Sequence, residues 1–316
     1  MIGIVILNYN TPNDVLECVE SIKKSTTVDY KIYIVDNCST DGSYKLLLEN
    51  YEGDTGVKVL TSDCNGGYSY GNNIGIKCAC NDSCDYILIS NPDIVYFDKS
   101  IDIMYDTLTQ NADVAVVGPS TPSLDQNESQ LLRKVYRPRV FFFSKKPFLY
   151  LSKIFHELKT EYDYPQDLKS AYCFEGMVRG CCFLISSKLF SELGFFDDNV
   201  FLYSEEWIIA KKIADRGLLC AFEPRAKALH KEATSTKMVG TGFQSFHLYL
   251  SSYYYLKYYS GCGKVYLLFA YLQNIVSYSL KSITNESYRK LLHPFVISQT
   301  ELFLGKKRKI GYNSMM

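Results

Sequence analysis

The groups in this chain best suited to chemistry are carboxylates placed where apolar runs stop. Asp36 closes "KIYIVD" (31–36), Asp93 follows "YILISNP" (86–92), and Glu205 and Glu206 sit side by side in "YSEEW" (203–207). Carboxylates ligate hard divalent cations and take protons from hydroxyl groups, so both kinds of work are open to them. Asp93 poses the sharpest question. "YILIS" reads as a short buried strand and Asn91-Pro92 as the point where its pairing ends, which puts an ionisable group at the lip of the interior. An ionised Asp with no partner there is costly to desolvate, so something must compensate it.

The elements that would position these groups alternate in type. "IGIVILNY" (2–9), "KIYIVDN" (31–37), "VKVLTS" (57–62) and "YILIS" (86–90) read as strands. Between them, "PNDVLECVESIKKS" (12–25) places Val15, Leu16, Val19 and Ile22 at helical spacing. "STDGSYKLLLENY" (39–51) offers a Ser or Asp cap and a second helix, and "NGGYSYGNNIGIKCA" (65–79) is a Gly/Asn loop leading into a third. Strands apolar on both faces and separated by helices imply an α/β fold, a parallel sheet covered on each side. In such sheets ligands bind beyond the carboxyl ends of the strands. Asn8, Tyr9 and Asn10, then Asp36, then Asn65 to Asn73, then Asp93 all fall there. Each is also an ordinary turn former, and it is the agreement of four strand ends that points to a site. Neither G-x-G-x-x-G nor G-x4-G-K-[ST] occurs in the Gly/Asn loop, which argues against a dehydrogenase or P-loop reading.

A second block spans 176–230. "CCFLIS" (181–186) reads as a strand, "SKLFSELG" (187–194) as a short helix stopped by Gly194, and "SEEWIIAKKIADRG" (204–217) as an amphipathic helix capped by Ser204. Glu205 and Glu206 then occupy the first turn, where the helix dipole favours carboxylates, and alone they would be a plain helix-start signal. "LCAFEP" (219–224) is strand-like. His230 follows "RAKAL", and a lone His is more often structural than catalytic.

In their order and spacing, "VILNYN", "VDNCSTDGS", "NGGYSYGNN", "SNPDI", "GFFDDNVFLYSEEW" and His230 resemble the family 2 glycosyltransferases, most closely the rhamnosyltransferase-like branch that builds bacterial surface polysaccharides. The resemblance covers about residues 2–235. It implies a GT-A fold (a Rossmann-like, mostly parallel sheet flanked by helices), an inverting mechanism, a UDP- or dTDP-linked sugar donor with rhamnose among the candidates, and Mg2+ or Mn2+. Tyr9 matches the position that lines the nucleobase pocket, beside Asn8 and Asn10, and Asp36 the carboxylate that recognises the base. Asn65, Gly67 and Asn73 match the family's loop around the nucleotide. Asp93 matches the last carboxylate of the D-x-D-like metal motif, with Asn91 in place of the first Asp, which leaves metal dependence open. Glu206 stands where the family's catalytic base is usually Asp, Glu205 matches the preceding Glu, and His230 matches a His near diphosphate and metal. In that chemistry a cation offsets the charge developing on the leaving diphosphate, and a carboxylate takes the proton of the attacking hydroxyl.

Composition sets outer limits. Lys plus Arg and Asp plus Glu both number 34, so zero net charge argues against nucleic acid as a partner, and 47% hydrophobic residues suffice for a large core. "MIGIVIL" lacks a basic leader, and the longest apolar run (265–280) carries Gln273 and Asn274 and falls short of the ~20 residues of a membrane span. The expectation is a cytoplasmic protein, working at the inner face of the membrane if it meets lipid. The eleven cysteines, irregularly spaced, read as reduced thiols rather than disulfides or a zinc site.

The expected domain plan is a glycosyltransferase domain over 1–235, with a nucleotide-binding half (1–120) and an acceptor half (121–235), then a helical region over 236–316. Between 129 and 156 lies a basic stretch rich in aromatics that suits either an anionic membrane or lipid-diphosphate acceptor, or a solvated insertion. The Tyr-rich C-terminal region reads first as a packing or homo-oligomer element, with peripheral membrane contact second. Expected partners are therefore a nucleotide-sugar donor and a glycan or lipid-linked acceptor. Two rival readings are a sugar nucleotidyltransferase, for which "LNYNTPND" lacks a triphosphate-gripping basic loop, and an inert nucleotide-binding subunit of a polysaccharide assembly complex.

Overall fold

A computed structural model describes residues 1–122, 132–134, 168–231 and 240–306. The chain builds strands β1 (Ile2–Asn8), β2 (Tyr30–Asp36), β3 (Val57–Thr61), β4 (Tyr86–Ser90), β5 (Ile94–Tyr96), β6 (Val114–Ser120), β7 (Arg133–Lys134), β8 (Tyr172–Phe174), β9 (Gly176–Met177), β10 (Cys182–Ser186) and β11 (Leu219–His230). Its helices are α1 (Pro12–Ser25), α2 (Ser43–Asn50), α3 (Gly67–Asn81), α4 (Ser100–Gln110), α5 (Ser187–Glu192), α6 (Glu205–Ala214), α7 (Gly240–Tyr258), α8 (Lys264–Thr284) and α9 (Glu286–Phe303).

The main sheet runs β3-β2-β1-β4-β10-β6-β11-β5, with β8 paired to β11, while β7 and β9 form a separate two-stranded sheet. Its first four strands are parallel, as their apolar runs and intervening helices imply. β10 enters antiparallel between β4 and β6, a pairing that joins segments almost a hundred residues apart. Strand alternation sorts side chains to two cores. Ile2, Ile4 and Ile6 of β1 and Ile32 and Ile34 of β2 face Val15, Val19 and Ile22 of α1 and Met104 of α4. Val5, Leu7, Tyr33 and Val35 point the other way, toward Ile76 of α3, Phe190 of α5 and Ile213 of α6. Gly75 lets α3 settle onto that face, since a Cβ there would lie 2.6 Å from a Val5 methyl and 2.9 Å from one of Val35.

Three helices, α7 to α9, form a third core around Tyr253, Tyr255, Tyr278 and Phe295, with Val200 and Ile208 belonging to the same cluster. The C-terminal region is thus anchored to the segment leading into α6. Tyr254 and Tyr259 each donate a hydroxyl to Asp197 (2.8 and 2.6 Å), and Ser251 Oγ donates to Leu202 O (2.8 Å). Among the described residues no helix is long and apolar enough to cross a membrane. Apart from 132–134, the basic and aromatic stretch 129–156 lies outside the described residues.

Two expected caps differ. Ser204 does occupy the N-cap position of α6, but its backbone is left-handed (φ 69°) and its side chain makes no capping bond. At α2 the cap position is Gly42, and the Asp41 carboxylate one residue earlier accepts the Ser43 N–H (3.0 Å). Gly194 ends α5 with φ +76°, as its place in the sequence requires.

Candidate functional site

The carboxyl ends of β1 and β2 are in register, Asn8 opposite Asp36. Asn8 Nδ2 donates to Asp36 Oδ2 (2.7 Å), the Ser39 N–H donates to Asp36 Oδ1 (2.9 Å), and Asp36 itself is 1% exposed. Asn10 closes the same corner: its N–H donates to Ser39 Oγ (3.0 Å) and its Oδ1 accepts the Thr40 N–H (2.9 Å). Tyr9, between them, is half-buried. Beyond β3, Asn65 Oδ1 accepts from Asn37 Nδ2 (2.9 Å) and from the Gly67 N–H (3.2 Å). These amides fix the turns after β1, β2 and β3 to one another.

Gly67 is required by close approach. Its φ is +87°, and a Cβ there would sit 2.2 Å from the Phe201 carbonyl oxygen, which accepts the Tyr68 N–H at 2.7 Å. The Gly/Asn loop is thereby docked on the segment before α6. Asn73 grips the same segment from within the protein, its amide donating to Phe196 O (2.9 Å) and accepting the Phe196 N–H (3.2 Å).

Asp93 has a partner that the sequence did not reveal. β11 shifts register between Glu223 and Lys227, and its last residues then pair with β5, His230 opposite Ile94. His230 Nε2 lies 3.3 Å from Asp93 Oδ2. Burial works against an imidazolium here, yet its hydrogen bonding to Asp93 and Cys181 lifts the His230 pKa to about 10. The buried Nδ1 of His230 has no hydrogen-bond partner.

A stack of contacts joins this strand end to the start of α6. The Tyr68 hydroxyl lies 3.1 Å from Asn91 Oδ1 and 2.8 Å from Gly180 O, and the Asn91 N–H donates to Cys181 O (2.8 Å). A Cβ on Gly180 would lie 3.6 Å from Glu206 Cβ and 3.8 Å from Glu206 Oε2. A chain of contacts through Asn91, Tyr68 and Gly180 thus links the strand end that precedes Asp93 to Glu206. Glu205 Oε2 and Glu206 Oε2 are both buried without a hydrogen-bond partner. Burial raises both carboxyl pKa values, and the Glu206 charge adds to the rise at Glu205. Glu206 also borders an open apolar cleft of about 250 Å³ with Met177, Val178, Ile209 and Ile213.

The raised Glu205 pKa has a measurable consequence. Between its ordinary value of 4.5 and its raised folded value, the folded chain holds a proton that the unfolded chain has released. Stability therefore falls as pH climbs through that window. Glu205→Gln removes the loss, so its gain in melting temperature over the parent is larger at pH 8 than at pH 4.5; an equal difference at both pH values refutes the assignment.

The fit to a divalent cation can be judged from the donors. Asp93 offers a carboxylate, and His230 offers a ring nitrogen once an incoming cation displaces the proton that Asp93 stabilises, but among the described residues no group of three or more His, Cys, Asp or Glu could hold a metal ion. Two protein donors suit a cation whose remaining ligands come from substrate phosphates and water, the usual arrangement for Mg2+. Asn91, whose amide oxygen meets the Tyr68 hydroxyl, has a structural partner where a first Asp would stand. Tyr68 and Gly180 are the site residues that sequence reading missed, although Tyr68 lies inside the quoted Gly/Asn loop.

A mostly parallel central sheet flanked by helices is the architecture of the GT-A glycosyltransferases. Residues 3–193 match the profile "Glycosyl transferase family 2", and the chain belongs to that family. It is 23% identical over 252 residues to an N-acetylglucosaminyl-diphospho-decaprenol L-rhamnosyltransferase of Mycobacterium tuberculosis, covering 75% of this chain and 78% of the relative. Among solved structures, the mannosyltransferase PcManGT of Pyrobaculum calidifontis, in complex with GDP-Man and Mn2+, superposes with a TM-score of 0.54 at 13% identity, covering 97% of this chain and 88% of its own. GalNAc-T7 with UDP, GalNAc and Mn2+ gives a TM-score of 0.56 at 16% identity over 74% of this chain, which spans only 44% of that longer protein. The protein is a glycosyltransferase.

Proposed function

We propose that the enzyme moves a sugar, with inversion, from a UDP- or dTDP-linked donor to a hydroxyl of a glycan or lipid-linked acceptor used in building a surface polysaccharide. The observation that carries this reading is the pair of buried, unpartnered glutamate oxygens linked through Gly180, Tyr68 and Asn91 to the strand end that bears the Asp93–His230 pair. A base and a diphosphate-binding end are what a single displacement at a sugar carbon needs on opposite sides. The rhamnosyltransferase relative, whose acceptor is linked to decaprenol by diphosphate, supports the acceptor class and makes rhamnose the first donor to try.

In this mechanism Asn8, Tyr9, Asn10 and Asp36 bind the nucleobase side, and Asn65 and Gly67 shape the loop around the nucleotide, which Asn73 braces from behind. Glu206, with Glu205 as the alternative, accepts the proton of the acceptor hydroxyl as its oxygen attacks the anomeric carbon. The electrons of the broken carbon–oxygen bond leave with the diphosphate. Asp93 and His230 would hold a divalent cation, Mg2+ or Mn2+, which when bound offsets the charge on that diphosphate. Placing the nucleotide-binding half in 1–120 and the acceptor half in 121–235 follows from the same assignment.

The test is a melting-temperature panel of nucleoside diphosphates and nucleotide sugars with and without Mn2+, followed by transfer from the best donor to a diphospho-polyprenyl N-acetylglucosamine acceptor. A specific donor raises the melting temperature by mass action and yields product. Nucleotide binding with neither transfer nor donor hydrolysis defeats the reading in favour of an inert subunit.

A further inference from the structure

Helix α8 is apolar on its outward side, while its buried side mixes Ala270 and Tyr278 with polar groups. Its buried side carries Gln273 (7% exposed), Asn274 (0%) and Ser282 (6%), with Asn274 Nδ2 donating to Tyr249 O (3.2 Å) and Gln299 Oε1 (3.1 Å). Its outward side carries Val265, Phe269, Leu272, Val276, Leu280 and Ile283, each between 46% and 70% exposed. At 3.6 residues per turn these six side chains fall within an arc of about 80°, along a helix about 30 Å long. Single exposed leucines need no explanation, but a continuous apolar stripe beside a face of buried amides marks a covered surface.

Charge decides between occupants. The only charged residues of α8 are Lys264 and Lys281, and neither is acidic. Residues 240–316 hold nine Lys or Arg against two Asp or Glu, a surplus of seven, while the whole chain has zero net charge, so the rest of the protein carries the opposite excess. The Tyr271 ring stacks on Phe303 at 4.7 Å, which sets the end of α9 beside the first half of α8. There Leu304 is 66% exposed, Lys306 is exposed, and the sequence continues Lys307, Arg308, Lys309. A second copy of this region would bring one basic surplus against another. An anionic lipid surface matches both the apolar stripe and the basic surplus.

We propose that the outward face of α8, with the exposed Lys264 on the same helix and Lys306 just past the end of α9, docks the enzyme on an anionic membrane surface, the helix lying along the interface rather than crossing it. Through Ser251, Tyr254 and Tyr259 the same helical region holds the segment before α6, so docking fixes the glutamate pair at a set height over the lipid. The proposal stands apart from the donor and acceptor assignments.

The full chain is to be sedimented with phosphatidylcholine vesicles containing roughly 30% phosphatidylglycerol and with phosphatidylcholine alone. The expected result is binding to the anionic vesicles only, weakened in about 0.5 M salt, and a drop in affinity of about tenfold or more in the double variant L272E/V276E. Both side chains are exposed, and unchanged circular dichroism and nucleotide-induced melting shifts verify the fold; I283E, nearer the helix end, serves if the double variant does not fold. A parent that stays in the supernatant, or variants that bind as the parent does, overturn the proposal. A parent that fails to sediment and elutes as a dimer split by the same variants assigns the face to a second copy instead.

Discussion

Glu206→Gln lowers sugar transfer by about 10²- to 10⁴-fold and leaves nucleotide binding intact, because the amide keeps the size of the side chain and loses only its ability to take a proton. The pH profile gives a second signature. Burial holds the Glu206 carboxyl above its ordinary value of 4.5, so the acidic limb of kcat/KM lies above that value, with activity rising as pH increases and the proton is shed. A glutamine at 206 removes the limb along with the activity. If Glu206→Gln retains most of its turnover and Glu205→Gln does not, the base is Glu205, whose charge acts on the Tyr68 hydroxyl more strongly than that of its neighbour. If neither change costs more than a few-fold, no carboxylate at the head of α6 acts as the base, and the inverting mechanism built on it fails.

What the sequence made legible was the strand-end pattern. β1, β2, β3 and β4 announce themselves as apolar runs because both faces of a covered parallel sheet are buried, and the polar residues that follow them do gather at one edge. The Asp93 partner was hidden by local chemistry. Pro224 and the charged Arg225 and Lys227 make "LCAFEP" look finished, whereas the strand continues across a register shift to His230. The antiparallel entry of β10 between β4 and β6 was invisible for a different reason, since pairing across such a separation leaves no periodic trace in either segment. α8 shows a third limit. Hydropathy reports how apolar a helix is, not which side faces the protein, and here the amides that interrupt the run are the ones that face inward. Tyr68 was overlooked because the glycines and asparagines around it carry the turn signal, while its own role depends on Asn91 and Gly180 arriving from other strands.

Asp93→Ala is expected to lower transfer by about 10²- to 10³-fold and to abolish most of its stimulation by Mn2+. Two effects add at this position. The carboxylate is the stronger of the two donors available to a cation, and it is also the group that fixes the His230 ring, whose Nε2 lies 3.3 Å away. Removing it leaves His230 as the single protein donor of the pair, too weak a ligand to hold the cation by itself. The separating measurement is nucleotide binding with and without Mn2+. In the parent, the cation tightens binding of a nucleoside diphosphate; in Asp93→Ala the metal-free affinity persists and the increment from Mn2+ disappears. Asp93→Asn divides the two effects further, because the carboxamide keeps an oxygen beside His230 but weakens the cation's ligand. Should the increment survive in Asp93→Ala, the cation is held elsewhere, and Asp93 serves only to pair with His230 at the end of the sheet.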